Sequence, residues 1–265
     1  MKKNKILISV IINCYNGEKY LSQCLQSIVS QSYKNLEIIF WNNRSTDKSE
    51  QIVKSFHDRR IRIFRSKKFL SLYEARNQAI KKTRGTYISF LDVDDYWVKD
   101  KLEKQVKFLK KNKSYNVIYS NFYTLSKRNK IKNYSNLNLP QGKILNSLIK
   151  NYCIGILTVL IKKTIFNKEK FNSRYNVIGD FDFFLRVSLK KEIGCIQEPL
   201  AYYRMHDDNY SKKKIKRYIF ELGSWITKNE NYYNNLGFSL NHQKFLLLKL
   251  RVKYFIYLIG RVVQW

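Results

Sequence analysis

TYISFLDVDD, residues 86–95, joins a β-branched and aromatic run to three carboxylates within four positions. Thr86–Leu91 has the composition of a buried strand, and Asp92–Asp95 stands at its carboxyl end. Upstream, Ile6–Ile12 (ILISVII) and Leu36–Trp41 (LEIIFW) are continuous apolar runs of the kind covered on both faces of a parallel sheet. Ile61–Phe64 is a shorter one. Helical spacing fills the gaps. Glu18–Ser30 carries Tyr20/Leu21, Cys24/Leu25 and Ile28. A helix opening at Asp47 and Glu50, a capping-box variant, runs through Ile52, Val53 and Phe56. Ser71–Lys82 carries Leu72, Ala75, Ala79 and Ile80, with Gly85 suited to its C-terminal end. Strand and helix thus alternate over Ile6–Leu91, which predicts an α/β fold with a mostly parallel sheet between helices. Ligands of such sheets bind outside the carboxyl ends of the strands. Asn13–Asn16, Asn42–Ser45 and Asp92–Asp95 lie at such ends and are expected to converge on one crevice.

Downstream the alternation weakens. Lys99–Lys111 reads as a helix, Val117–Leu125 as a strand, Lys127–Leu139 as a polar loop and Ile144–Lys150 as a short helix. Gly155–Ile161 reads as another strand, Phe181–Lys191 as a helix with Phe184, Val187 and Ser188 on one side, and Ile193–Ile196 and Leu200–Arg204 as two strands. Trp97 is expected to pack behind the acidic turn.

The chain has 265 residues, 44% of them hydrophobic, enough for one α/β domain with an appendage. Only 9 Gly and 2 Pro exclude a low-complexity or linker-rich chain. With 51 Lys+Arg against 20 Asp+Glu the net charge is +31, which favours anionic partners: nucleic acid, an acidic membrane face or a phosphorylated substrate. An evenly basic, solvated surface is the plain alternative. The local excess is greatest in Lys212–Trp265. There His242–Ile259 interleaves Phe245, Leu246, Leu248, Val252, Phe255, Ile256 and Ile259 with Lys249, Arg251 and Lys253. With Lys212–Lys228 it makes a pair of candidate helices. The second is too charged to span a bilayer but suited to lie on anionic lipid; packing on the preceding domain is the alternative. Cys14, Cys24, Cys153 and Cys195 form no C-x-x-C pair and read as reduced, buried thiols of a cytoplasmic protein. No signal-peptide pattern and no span-length apolar run are present.

Three carboxylates at a strand tip repel one another unless a cation sits among them. Asp-x-Asp directs two of them to the same side of an extended segment, and a hard divalent cation completes its shell with water and phosphate oxygens. An acidic turn capping the next helix is the structural alternative.

The surroundings carry more. Gly85–Val106 (GTYISFLDVDDYWVKDKLEKQV) closely resembles the Asp-x-Asp segment of family 2 glycosyltransferases. Ser9–Ile39 resembles that family's first strand, loop and helix. Asn42–Asp47 (NNRSTD), Ala75-Arg76-Asn77, Gly179–Val187 (GDFDFFLRV) and Leu200–Ser211 (LAYYRMHDDNYS) fill further motifs in order, over roughly Lys5–Ser211. The resemblance implies a GT-A fold: a Rossmann-like nucleotide-binding half with a mixed sheet (1–115), an acceptor half (116–211) and, beyond them, a basic helical C-terminal tail (212–265). It implies an inverting transfer from a nucleotide-diphosphate sugar, with a UDP-sugar the first choice, to a glycan or lipid-linked acceptor hydroxyl. Cell-surface polysaccharide or lipopolysaccharide synthesis is the expected setting, in the cytoplasm or peripherally at the inner membrane face. Acceptor specificity is expected in Val117–Arg174.

Roles follow the motif. Asp92 matches the donor-ribose contact. Asp94, with Asp95 as its neighbour, matches the ligand of a divalent Mn2+ or Mg2+, and His206 a metal- or phosphate-facing position. Asp180 matches the general base, with Asp182 ranked second; without the resemblance Asp180 reads as an ordinary residue of a helix N-terminus. Asn13 and Tyr15 match base contacts, Arg76 a donor contact, and Glu18, Asn42, Asn43 and Arg204 complete the substrate-binding set. The departures are Asn42 and Asn43 where the family has Asp, Arg44 where it has Gly, Asn13 in place of the Pro after the first strand, and no glycine before Ala75. The alternatives are a catalytically degenerate relative, a nucleotidyltransferase, which would need a Gly-rich phosphate loop, and a nucleic-acid-binding protein, for which no module is present.

Overall fold

The computed structural model describes residues 6–126, 128, 130–206 and 214–262. Within them one mixed sheet is built. β1 (Ile8–Cys14), β2 (Leu36–Asn42), β3 (Ile61–Arg65) and β4 (Tyr87–Phe90) are parallel, in the order β3-β2-β1-β4. Beside β4 runs the antiparallel β8 (Leu160–Lys162), then β6 (Val117–Leu125), β9 (Ile193–Arg204) and the short β5 (Tyr96–Trp97). β7 (Ile131–Asn133) pairs with β6 off this path.

The helices are α1 (Glu18–Val29), α2 (Ser49–Ser55), α3 (Leu72–Ile80), α4 (Lys101–Lys111), α5 (Leu145–Lys150), α6 (Gly179–Ser188), α7 (Ile215–Asn235) and α8 (Asn241–Val262). The two-residue period of a strand sorts the core. Ile8, Val10 and Ile12 enter an apolar cluster with Leu21 and Leu25 of α1 and Leu102 and Val106 of α4. Ile11 faces the other way, into a cluster with Tyr73 of α3, Phe184 of α6 and Trp225 of α7. The C-terminal helices therefore pack on the body rather than trailing from it. The boundary expected near residue 211 and the residues Asp207–Ser211 lie outside the described residues.

The sheet is parallel over β1–β4, as the alternation in Ile6–Leu91 predicted, and mixed as a whole, as the resemblance implied. Several other expectations are corrected. The loop expected over 127–139 contains β7. The two strands expected in 193–204 are one: its register against β6 shifts on both sides of the Asn121–Pro199 pair, so the extra residues bulge out there and the strand runs on. Gly155–Ile161 begins as a 3-10 turn (Ile156–Thr158) before β8. Gly85 does not cap α3, whose C-cap is Lys81. A Cβ at Gly85 would lie 2.6 Å from Ser9 Oγ and 2.8 Å from Leu7 O, so this position is glycine for close strand approach. The capping box does not form at α2: Asp47 accepts from Ser49 N (3.0 Å) and Glu18 N (2.9 Å), while Glu50 pairs with Arg65, Lys54 and Asn42. Trp97 is buried as expected, its indole N–H donating to Leu157 O at 2.7 Å. All four thiols are free and buried.

Candidate active site

The chain leaves β4 at Leu91 and turns sharply, the Asp95 N–H closing back on Asp92 O at 3.1 Å. Each carboxylate of this turn has a different partner. Arg76, buried on α3, donates through one nitrogen to both oxygens of Asp92, at 2.8 and 3.0 Å. Asp94 Oδ2 lies 2.9 Å from His206 Nε2 at the end of β9. Burial and the neighbouring Asp92 charge raise the Asp94 pKa. Asp95 is 3% exposed and accepts from Arg204 N at 2.9 Å; burial, then Asp94, pushes its pKa well up. Arg204 Nε donates to Asp94 O at 3.0 Å and its guanidinium lies over the Tyr20 and Tyr96 rings. Asp95, expected as an alternative metal ligand, has its Oδ1 engaged by the backbone of β9. It fastens that strand to the acidic turn.

Asp180 faces this turn from the first turn of α6. Both a Tyr73 O–H (3.1 Å) and the Phe181 N–H (2.9 Å) donate to its Oδ1. No hydrogen bond from another residue among those described reaches its other oxygen. Gly179 makes this possible: a Cβ there would sit 2.5 Å from the Tyr73 ring. Burial raises the Asp180 pKa, against the opposing charge of Arg76 and the Tyr73 hydrogen bond. A crevice of about 430 Å3 is lined by Asp92, Asp94, Asp95, Arg76 and Asp180 together with Tyr134 and Tyr203.

The other expected residues divide. Asn13, at the end of β1, has a buried Nδ2 without a hydrogen-bond partner among the described residues. Tyr15 is 53% exposed and makes a T-shaped contact with Phe69, ring centroids 4.8 Å apart. Glu18 accepts from Lys48 N at 2.9 Å and ties α1 to α2. Asn42 accepts from Ser45 N and donates to Glu50, which closes its own turn. Asn43 exchanges two hydrogen bonds with the Leu70 backbone, at 2.9 and 3.1 Å. Both side chains thus brace their own loops, and each amide keeps a second N–H beyond these bonds. Arg44 has φ 66°, a left-handed conformation that explains why a glycine suits this position. Asp182 is turned away from the crevice: it pairs with Arg186 and accepts from the Trp225 indole at 3.1 Å.

Three contributors escaped the sequence reading. Tyr73 positions Asp180. Tyr152 places a buried hydroxyl with no partner among the described residues near it. Glu221 of α7, 2% exposed, accepts from the N–H groups of Asn176, Val177 and Ile178 and so holds the segment leading into α6. A lone glutamate at an inward position of an otherwise amphipathic helix was the available signal for the last; the tyrosines gave none.

Among the described residues no three His, Cys, Asp or Glu side chains are grouped to hold a metal ion. Asp94 and His206 offer a pair, and a cation beside Asp94 would relieve the repulsion that raises its pKa.

The Glycosyl transferase family 2 model matches residues 9–191. The chain belongs to that family. The transferase is 29% identical over 243 residues to the UDP-Glc:alpha-D-GlcNAc-diphosphoundecaprenol beta-1,3-glucosyltransferase WfgD of Escherichia coli, covering 89% of this chain and 92% of that one. It is 30% identical to WfaP of Escherichia coli, whose name gives the same activity, covering 89% of each. Among solved structures, S. aureus TarS 1-349 in complex with UDP-GlcNAc superposes with a TM-score of 0.63 at 19% identity, over 83% of this chain and 67% of that one. The mannosyltransferase PcManGT from Pyrobaculum calidifontis, in complex with GDP-Man and Mn2+, gives 0.63 at 13%, over 85% and 65%. The transferase thus spans about two thirds of these solved chains. It shares their GT-A fold, a curled mixed sheet with helices, here followed by α7 and α8. The nucleic-acid and degenerate readings find no support in these comparisons.

Proposed function

We propose that the transferase moves a sugar, with inversion, from a UDP-sugar to a hydroxyl of a lipid-linked acceptor in cell-surface polysaccharide assembly. The observation that carries this reading is that Asp180 and the Asp92–Asp95 turn line one crevice. Asp180 Oδ2 takes the acceptor O–H proton as that oxygen bonds to the anomeric carbon; the bond from that carbon to the diphosphate breaks, and the nucleoside diphosphate leaves with its electrons. A general base of this kind contributes about 10²–10⁴-fold. Arg76 holds Asp92 in place toward the donor ribose, and Tyr73 fixes the orientation of Asp180. A divalent cation, Mn2+ or Mg2+, held by Asp94 and His206, would supply positive charge to the departing diphosphate. Tyr15 and Asn13 are placed to meet the base. The names of WfgD and WfaP support uridine and a diphospholipid acceptor.

No helix among the described residues is long and apolar enough to cross a membrane. On α8, Phe245, Leu248, Val252, Phe255 and Ile256 fall within an arc of about 100° at helical spacing, and all are 49–64% exposed. Lys249 and Lys253 flank one edge of this stripe and Lys244 and Arg251 the other. That arrangement suits an anionic lipid surface, and we place the transferase there peripherally. The deciding experiment is a thermal-shift screen of UDP, GDP and CDP with Mn2+, Mg2+ or EDTA. UDP with a divalent ion raises the melting temperature most; equal shifts in EDTA would remove the metal, and no shift with any nucleotide would remove the transfer reading.

A further inference from the structure

A second cavity, of about 560 Å3, lies between α5, α6, α7 and α8 and shares Asp180 and Val177 with the crevice just described. Asp180 therefore stands in the wall between two chambers. One holds the acidic turn. Among the described residues, the other has Asp180 as its only acidic lining residue, against the basic Lys150, His242 and Lys249. Its apolar wall includes Phe245, and Tyr152 brings to it a buried hydroxyl that no protein group among the described residues satisfies. Burial and the adjacent Asp180 charge keep that phenol protonated, hence able to donate. Phe245 and Lys249 also begin the exposed stripe of α8, so the cavity opens where the apolar face starts.

We infer that this second cavity is the acceptor site, and that it takes a sugar phosphate carried on an apolar chain. The acceptor hydroxyl meets Asp180 and Tyr152, the phosphate meets Lys150, His242 and Lys249, and the chain leaves past Phe245 along α8. The inference rests on the transfer reading and deepens it. A base that serves two substrates must touch one and face the other across the bond being made, and a residue lining both cavities meets that requirement. It also relocates acceptor recognition, since most of this lining lies outside Val117–Arg174.

The test uses the full chain with UDP and Mn2+ bound, titrated by calorimetry. The probes are an N-acetylglucosamine diphosphate on a short alkyl chain, the same sugar diphosphate without the chain, and inorganic pyrophosphate. The alkylated probe binds tightest. Lys249→Glu and Lys150→Glu each weaken it by about tenfold or more, as expected for a lost charge-assisted hydrogen bond, while Lys249→Arg restores it and UDP affinity is unchanged in all three. Phe245→Asp removes only the advantage of the alkylated form over the chainless one. Unchanged probe affinity in both glutamate variants, or no probe binding to a wild-type protein that binds UDP, overturns the acceptor assignment. Equal affinity with and without the chain overturns the amphiphile. A wild-type protein that binds neither UDP nor probe takes the transfer reading down as well.

Discussion

Asp180 is oriented through one oxygen and presented through the other, and that division can be measured. Asp180→Asn should lower kcat by about 10²–10⁴-fold while UDP binding persists; an active variant would remove the base. Its pKa is raised above the ordinary 3.8 by burial, and the base works only when ionised. Turnover should therefore fall as pH falls through a value higher than that of a solvated aspartate. The Tyr73 hydroxyl opposes the shift by donating to the carboxylate, so Tyr73→Phe should move the acid limb of the pH–rate profile further up. A limb that stays put would reduce Tyr73 to packing. The position of Asp92, Asp94 and Asp95 was legible because a short acidic motif follows an apolar strand, whereas Asp180, at a helix start, was singled out by the resemblance alone. The loop-bracing partners of Asn42 and Asn43, Glu50 and the Leu70 backbone, were not legible, because they are set by folding and not by the motif. Asn43→Asp, the residue usual in the family, would lose the donor to Leu70 O and set a carboxylate against it. It should cost about 1–3 kcal/mol, read as a lower denaturant midpoint.

At the level of single elements, long periodic runs were readable and short ones were not. β1, β2 and β6 declared themselves by continuous apolar sequence, whereas β5 and β7 are too short for a period, and β9 looked broken because a bulge cannot be read from Pro199 alone. α4 hides a further oddity. Its Lys101 is wholly buried, with its ammonium hydrogen-bonded to Gln105 Oε1 at 2.9 Å and Ser89 Oγ at 3.2 Å and lying 3.9 Å over the Trp97 ring. No carboxylate pairs with it among the described residues, and burial drives its pKa well below 10.5. The unfolded chain then binds a proton that the folded chain does not, so stability rises with pH from the depressed value toward 10.5. Lys101→Met should flatten that dependence and raise stability by about 1–3 kcal/mol at neutral pH, measured by urea unfolding across pH. A loss of stability at every pH would refute it.

Across the whole molecule, the C-terminal helices are part of the catalytic body. Leu222, Trp225, Ile226, Tyr233, Leu240 and Leu247 are buried there. At about 2 kcal/mol each their burial approaches the total stability of a domain. A chain ending at residue 213 should accordingly melt without a cooperative transition in circular dichroism. The membrane reading needs point changes instead: Phe255→Asp with Ile256→Asp should abolish sedimentation with anionic vesicles and leave the melting temperature unchanged, and undiminished sedimentation would end it.

On α3, Tyr73 and Arg76 lie one turn apart, and each grips a different acid, Asp180 on one wall and Asp92 on the other. Three residues of one helix, about 4.5 Å of rise, thus brace both walls, as one bracket steadies two shelves. A substitution that loosens α3 should disturb Asp92 and Asp180 together, whereas one confined to either side chain should disturb only its own acid.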